Sequence, residues 1–74
     1  MRMEEASTIM PGSIVRVPCL WEGEFEVTEV IYRRRGDVRI YNGNLDISQR
    51  SHYDIGIHVN GEYMLVDCKY VKKA

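Results

Sequence analysis

The dipeptide Asn60-Gly61 restricts the fold of this chain more than any other feature, because it marks a two-residue β-hairpin turn. A type I′ turn needs positive φ at both central residues, and asparagine and glycine tolerate that conformation best. Folding the flanking strands about the turn makes three pairs: Val59 with Glu62, Ile57 with Met64 and Ile55 with Val66. Paired residues share a face, so the aliphatic side chains of both strands form one apolar surface. The segment 54–66 is therefore predicted to be an antiparallel hairpin.

Asn42-Gly43 is a second turn signal of the same kind. Folding about this turn pairs Ile40 with Leu45, so that apolar residues meet across the strands. It also places Arg39 opposite Asp46, which predicts an exposed cross-strand ion pair worth about 0.2–1 kcal/mol.

Gly36 allows two different connections between the second strand and the third. A two-residue turn would pair Arg33 with Val38 and set a charge beside a core residue. A three-residue loop with a left-handed Gly36 makes pairs that are consistent on both faces: Arg33 with Asp37, Tyr32 with Val38 and Val30 with Ile40. We predict the three-residue loop.

The second strand is predicted to be long, and its apolar residues change from odd-numbered to even-numbered positions along the strand. Phe25 and Val27 share one face, whereas Val30 and Tyr32 share the other. A β-bulge near Thr28-Glu29 would bring all four side chains to the same side of the sheet. The pattern therefore predicts a strongly bent strand within a curved sheet.

Together these elements predict six strands in a meander, with a short first strand over 13–17, a loop, the long bent strand and then the hairpins. Residues 1–8 have no usable period and are predicted to be a flexible N-terminal tail, which leaves 9–74 as a single domain. The strand pattern resembles that of SH3-like barrels. The resemblance implies an all-β fold, a small and strongly bent antiparallel meander that closes into a barrel of five or six strands. The predicted core consists of Val15, Val17, Phe25, Val27, Val30, Val38, Ile40, Ile55, Ile57, Val59, Met64 and Val66.

Composition narrows the range of partners. Ten Lys and Arg residues against eleven Asp and Glu residues give a net charge of −1, which does not favour general polyanion binding. Cys19 and Cys68 form neither a disulfide framework nor a metal-ligand spacing. The sequence contains no apolar segment of signal-peptide or membrane-spanning length, so we expect a cytoplasmic protein with no membrane partner.

The run Arg33-Arg34-Arg35 is the densest charge feature, and it is predicted to project from a hairpin tip. Exposed guanidinium groups there could bind carboxylates or phosphates. Arg39 and Tyr41 are predicted on the outer face of the next strand, where tyrosine offers a stacking surface. The competing interpretation is a solvated turn, because charged hairpin tips also prevent strand edges from pairing.

Trp21 follows Pro18 in the loop after the first strand. Tryptophan is highly buried on average, which favours a role in capping the core. If it were exposed beside Leu20, the same residue would be suited to act as a binding hot spot.

Residues typical of catalytic or metal sites are not arranged in a recognisable pattern. His52 and His58 are predicted on different elements, with no set of ligands at metal-binding spacing. The serines lack a nucleophile elbow, and no glycine-rich loop could hold a phosphate. We therefore predict no enzymatic activity, no metal and no cofactor.

Two classes of function remain, and both involve a macromolecular partner. Net charge favours the first, a small non-enzymatic protein-binding module that acts as an inhibitor or accessory factor of bacterial or viral origin. The alternative is a nucleic-acid-binding small β-barrel that uses the arginine hairpin. The candidate partner-binding residues are Trp21, Arg33, Arg34, Arg35, Arg39 and Tyr41. A domain with so thin a core is also expected to form homo-oligomers, most simply a two-fold dimer.

Overall fold

The computed structural model describes residues 1–74 and confirms the prediction of an all-β fold. The strands in chain order are β1 (Ile14–Arg16), β2 (Phe25–Arg33), β3 (Val38–Tyr41), β4 (Asn44–Ile47), β5 (His52–Val59), β6 (Glu62–Asp67) and β7 (Lys72–Lys73). A short helix, α1 (Met3–Ala6), precedes β1, and a 3-10 turn (Cys68–Tyr70) separates β6 from β7.

Five strands form one antiparallel sheet in the order β6-β5-β2-β1-β7, which we call the main sheet. β3 and β4 form a separate two-stranded sheet. The terminal strands of the main sheet, β6 and β7, do not pair with each other. The sheet is therefore open, and the predicted closure into a barrel is not observed. The last strand has only two residues, and both pair with β1.

The predicted bend of β2 is confirmed by a bulge between Val27 and Glu29. Val27 pairs with Ile57 and the next pair begins at Glu29, so Thr28 is the additional residue. The start of β2 pairs with β1 and the remainder with β5, so the bulge lies close to the point where the strand changes partners. Val27 before the bulge is buried, and Val30 after it packs against the core as predicted.

The hairpin of β5 and β6 has the predicted register about Asn60-Gly61. Both turn residues have positive φ, 51° at Asn60 and 84° at Gly61. Strand β6 ends at Asp67. The reason is a cap, since the Asp67 carboxylate accepts a hydrogen bond of 3.0 Å from the Lys69 backbone N–H and begins the 3-10 turn.

The buried core lies on one side of the main sheet and consists of Ala6, Ile9, Val15, Val17, Val27, Ile55, Ile57, Val59, Val66, Cys68 and Val71. Most of the predicted core residues are among them or pack against them. The N-terminal segment differs from the predicted flexible tail, because Ala6 of α1 is fully buried. The Met1 ammonium group also donates a hydrogen bond of 2.9 Å to the Val71 carbonyl, which joins the two ends of the chain.

The predicted pairing of β2 with β3 is wrong. Tyr32 pairs with Tyr53 and Val30 with Ile55, so β5 occupies the place predicted for β3. Gly36 is left-handed as predicted, with φ of 90°, but the hairpin that follows it forms a separate two-stranded sheet. β5 is twice as long as β3, eight residues against four, and fully buries Ile55 and Ile57. The longer strand therefore removes more apolar surface from water.

Candidate functional site

The hairpin of β3 and β4 turns its apolar side chains toward solvent. Its register is the predicted one, with Val38 opposite Ile47 and Ile40 opposite Leu45. The exposed fractions are 61% for Val38, 70% for Ile40, 63% for Leu45 and 46% for Ile47. The prediction that Val38 and Ile40 belong to the core is therefore wrong. These four side chains are cross-strand neighbours and form a continuous patch, which we call the hairpin apolar face.

The polar side chains of the same hairpin point toward the main sheet. The Tyr41 hydroxyl accepts a hydrogen bond of 2.8 Å from the Leu65 backbone N–H on β6. Arg39 donates from Nε to Asp46 Oδ2 at 2.8 Å, and its Nη2 lies 2.7 Å from Asp54 Oδ2 on β5. Arg39 and Tyr41, which the sequence predicts to face solvent, thus hold the hairpin against the main sheet. The predicted Arg39–Asp46 pair does form, but it faces inward.

Arg33 lies at the centre of this contact and is only 5% exposed. Its Nη1 atom is 3.0 Å from Asp46 Oδ2 and 3.7 Å from Asp54 Oδ2, and Nη2 donates to the Asp37 carbonyl at 2.8 Å. The prediction that Arg33 is an exposed hairpin-tip cation is wrong. The end of β2 is covered by the β3–β4 hairpin, and a buried carboxylate such as Asp54 requires a cation nearby.

Asp54 is the most deeply buried carboxylate of the cluster, with 3% of its surface exposed. Its Oδ1 atom lies 3.0 Å from His52 Nε2. Its Oδ2 atom has no hydrogen bond, because the nearby Arg39 group is close but not aligned to donate. Asp54 Oδ2 is therefore held mainly by the positive charge of Arg33 and Arg39.

Both ring nitrogens of His52 face hydrogen-bond acceptors. Nδ1 lies 2.7 Å from the Arg50 carbonyl oxygen, and Nε2 lies 3.0 Å from the Asp54 carboxylate. The ring thus lies between the Arg50 carbonyl and the buried carboxylate of Asp54 and links the two.

Ser48, His52 and Asp54 are close together, and these residue types recur in enzymes that transfer acyl groups. Here, however, the Ser48 hydroxyl donates to the Arg50 carbonyl at 2.6 Å. His52 Nδ1 faces that same carbonyl and is 3.5 Å from Ser48 Oγ. Since Nδ1 must donate to the carbonyl, it is not free to accept a proton from the serine. This geometry differs from that of a serine activated by a histidine base, and the absence of enzymatic activity stays a prediction.

A cleft of about 520 Å³ lies between the β3–β4 hairpin and the ends of β5 and β6. Its walls carry four cationic and three anionic side chains: Arg33, Arg39, Arg50 and Lys69, with Asp46, Asp54 and Asp67. Arg50 Nη2 contacts both Asp67 oxygens, at 2.9 and 2.8 Å. Hydrogen bonding from Arg33 and then Arg39 holds the pKa of Asp46 below its ordinary value, so this carboxylate is charged as well. The cleft charges therefore largely neutralise one another.

The remaining predicted binding residues differ in their exposure to solvent and in whether other side chains contact them. Trp21 is half-buried and packs edge-on against Phe25, with ring centroids 6.2 Å apart, as expected for a side chain that caps the core. Arg34 and Arg35 are exposed as predicted, and neither takes part in an ion pair. Of the six candidates, these two alone offer a guanidinium group free to meet a partner.

The hairpin apolar face is the feature that sequence reasoning missed. Alternation along β3 and β4 divides the side chains into an apolar set and a polar set, but it does not say which set faces the protein. One available signal is Asp54, a carboxylate predicted to lie in a strand of buried aliphatic residues. A buried carboxylate needs cations, and Arg39 is one candidate to supply them.

No family model matches the chain, and no curated protein or solved structure matches it. No group of three or more His, Cys, Asp and Glu side chains is arranged to hold a metal ion, and the absence of metals and cofactors stays a prediction. None of the helical segments has the length and apolar character needed to cross a membrane. The function must therefore be inferred from the surface itself.

Proposed function

We propose that this chain is a small non-enzymatic protein-binding module that engages its partner through the hairpin apolar face. The observation that carries the proposal is the outward orientation of Val38, Ile40, Leu45 and Ile47. Contiguous apolar patches on soluble domains commonly mark interaction sites. Covering this patch with a partner recovers about 25 cal/mol per Å² of buried apolar surface.

The attachment of the hairpin supports this function. Tyr41 is hydrogen-bonded to the backbone of β6, and Arg39 contacts carboxylates on both β4 and β5. These contacts restrict the motion of the hairpin before any partner arrives. A binding surface held in position loses less conformational entropy on association, which favours affinity.

The alternative function, nucleic-acid binding, has weaker support. It rests on Arg34 and Arg35, which are exposed and have no carboxylate partner. Arg33 and Arg39, the other cations assigned to this role, are engaged with Asp46 and the buried carboxylate of β5. The chain as a whole is slightly acidic, with a net charge of −1. Phosphate contacts by two arginines would give only a modest salt dependence.

We infer an open relative of the SH3-like class, in which the β3–β4 hairpin is an insertion between the central strands. The support is the strand order β7-β1-β2-β5-β6, with a bulged β2 shared by β1 and β5. The last strand pairs with the first, after a 3-10 turn. Domains of this kind have many unrelated functions, so the class adds nothing about the partner.

The test compares two exposed aliphatic positions of equal size. The native partner is first identified by cross-linking in the source cells and mass spectrometry, and is then purified. The variant Leu45→Thr is expected to weaken binding of that protein at least about tenfold, since it removes a central side chain of the face. Leu20→Thr is the matched control, because Leu20 is exposed in a loop outside the face.

Both variants should melt near the parent temperature, because exposed positions contribute little to stability. Equal affinity for the parent and for Leu45→Thr would rule out the hairpin apolar face as the binding site. If the purified partner is a nucleic acid, and its binding depends on Arg34 and Arg35 alone, the alternative function is supported.

A further inference from the structure

We propose that the partner contributes an extended segment that adds to β3 as a neighbouring strand, with alternating aliphatic side chains on the hairpin apolar face and carboxylates near Arg34 and Arg35. This inference rests on the proposed function and names the kind of partner.

The outer edge of β3 is free. β3 pairs with β4 alone, and the Ser48 backbone N–H donates to the Asp37 carbonyl at 2.9 Å. Hydrogen-bonded and non-bonded pairs alternate along an antiparallel ladder, so the N–H and C=O groups of Val38 and Ile40 point away from β4. None of the backbone hydrogen bonds in turns and loops uses these groups. A strand can therefore pair with them without displacing an existing bond.

The outer edge of β4 is less available. The Gln49 side-chain amide donates to the Ile47 carbonyl at 3.3 Å and occupies an acceptor on that edge. Exposed edges are usually protected by charged side chains, proline, bulges or a covering element. On β3 the charged residue is Arg39, and it points toward the main sheet. The β3 edge thus lacks the usual protection, and strand addition is a recurring mode of peptide recognition.

The side chains beside the edge determine which segment fits. In an added strand, alternate residues lie on the same side as Val38 and Ile40, so aliphatic residues there extend the apolar face. Arg34 and Arg35 lie in the turn that precedes β3 and are unpaired, whereas Arg16, Arg33, Arg39 and Arg50 all contact carboxylates. Unpaired cations beside a binding edge are complementary to acidic residues.

A second copy of this chain fits the same edge less well. Pairing β3 with itself in the antiparallel direction would bring the turn at Asn42-Gly43 of one copy near the arginines of the other. That turn carries no acidic residue, and the Asp37 carboxylate already accepts a hydrogen bond of 2.7 Å from the Arg34 backbone N–H. Charge complementarity therefore favours a different protein with an acidic and aliphatic segment.

A random-peptide display library selected on the immobilised full chain tests the partner chemistry. The expected consensus has aliphatic residues at alternate positions and Asp or Glu at one end. A synthetic peptide of that consensus should bind the double variant Arg34→Ser/Arg35→Ser at least about tenfold more weakly than the parent, with a smaller difference at high salt. An enriched consensus without this pattern, no enriched peptide, or equal affinity for the double variant would overturn the proposal.

Amide hydrogen exchange measured by NMR tests the strand addition with the same peptide. The Val38 and Ile40 amides should exchange slowly only when the peptide is bound, because the added strand supplies their acceptors. Leu45 is the internal control, since its N–H points outward on the opposite edge of the hairpin. Protection at Leu45 with none at Val38 and Ile40, or no new protection, would contradict addition to β3.

The Leu45→Thr variant separates this inference from the proposed function. If it weakens the selected peptides while the two arginines and the β3 amides are unaffected, the apolar face still binds protein and the strand-addition inference fails. If Leu45→Thr weakens the binding of neither the selected peptides nor the native partner, the proposed function fails as well.

Discussion

Arg39 and Asp46 lie opposite each other on β3 and β4, and their Nε–Oδ2 contact of 2.8 Å faces the main sheet. Successive side chains of a strand point to opposite faces. The inward orientation of this one pair therefore sends Ile40 and Leu45, the neighbouring pair, toward solvent. Asp54 explains the orientation, because a buried carboxylate on β5 needs cations and Arg39 supplies one of them.

Removing the guanidinium of Arg33 should strongly destabilise the fold. Arg33→Leu leaves Asp54 and Asp46 without one of their cations at a buried position, which costs about 3–5 kcal/mol of unfolding free energy. Urea denaturation monitored by fluorescence measures the loss. The matched control is Arg34→Leu, which removes an exposed and unpaired guanidinium and should change the unfolding free energy by no more than about 0.5 kcal/mol.

The same comparison corrects an expectation from the sequence. A triple change of Arg33, Arg34 and Arg35 to serine would leave the fold intact if all three residues projected from an exposed hairpin tip, as the sequence predicts. The burial of Arg33 makes that triple variant unsuitable for testing binding. Equal stability of Arg33→Leu and Arg34→Leu would show that the cluster does not hold the hairpin in place.

The parts of the fold that sequence predicts correctly depend on local signals. The turns at Asn42-Gly43 and Asn60-Gly61 set the register of both hairpins, because the turn type determines which residues pair. The bulge after Val27 is also visible locally as a change of parity. Each of these features can be predicted from only a few neighbouring residues in the sequence.

The parts that sequence does not predict depend on competition between distant segments. β3 and β5 both offer apolar residues to the edge of β2, and the outcome depends on how much surface each buries. The ion cluster unites Arg33, Arg39, Asp46 and Asp54, which belong to four different strands. No local pattern reveals that these four residues meet, so the binding surface on the far side of the hairpin is hidden as well.

The stability of the fold should depend on pH through Asp46. The hydrogen bond from Arg33 holds its pKa below the ordinary value of 3.8. Because the pKa is lower in the folded chain than in the unfolded one, the ionised carboxylate stabilises the fold fully above that value. The contribution is lost as the pH falls through the pKa of the folded state.

Urea denaturation of the parent and of Asp46→Asn over a series of pH values measures this effect. The variant should be less stable near neutral pH, and its free energy of unfolding should fall less steeply below about pH 4. Other carboxylates titrate in both proteins, so the difference between the two curves isolates Asp46. Parallel curves in this acidic range would contradict the assigned role of the Arg33–Asp46 pair.

Replacing Gly56 with alanine, which adds only a methyl group, should destabilise the fold. A Cβ atom there would lie 2.8 Å from the Tyr63 hydroxyl oxygen and 2.9 Å from Glu29 Cγ. The Tyr63 hydroxyl crosses over β5 to donate to Glu29, and burial together with this carboxylate raises the pKa of Tyr63. Gly56→Ala must displace the tyrosine, and we expect a loss of about 1–3 kcal/mol in unfolding free energy.

A double-mutant cycle with Tyr63→Phe checks this explanation. Removing the hydroxyl relieves the shortest contact, so Gly56→Ala should cost less in the Tyr63→Phe background than in the parent. His58→Ala serves as the control background, because His58 lies beside the Tyr63 ring but supplies none of the three atoms nearest to a Cβ at Gly56. Additive effects of Gly56→Ala and Tyr63→Phe would mean that the hydroxyl is not the obstacle.

The hairpin apolar face should also cause weak self-association. A standard interface buries about 800 Å² per partner, which is more than four side chains provide, so a dimer that packs these faces together should form only at high micromolar concentration. The net charge of −1 gives little repulsion between copies. Light scattering over a concentration series measures the association.

Two lysine substitutions distinguish this dimer from nonspecific contact. Ile40→Lys sets a charge in the middle of the face and should keep the chain monomeric, whereas Leu20→Lys adds the same charge in a loop and should leave the association unchanged. The Val38 amide should exchange at the same rate in monomer and dimer, since packing of faces leaves the β3 edge free. A parent protein that stays monomeric at high micromolar concentration, or a dimer insensitive to Ile40→Lys, would show that the face does not bind itself.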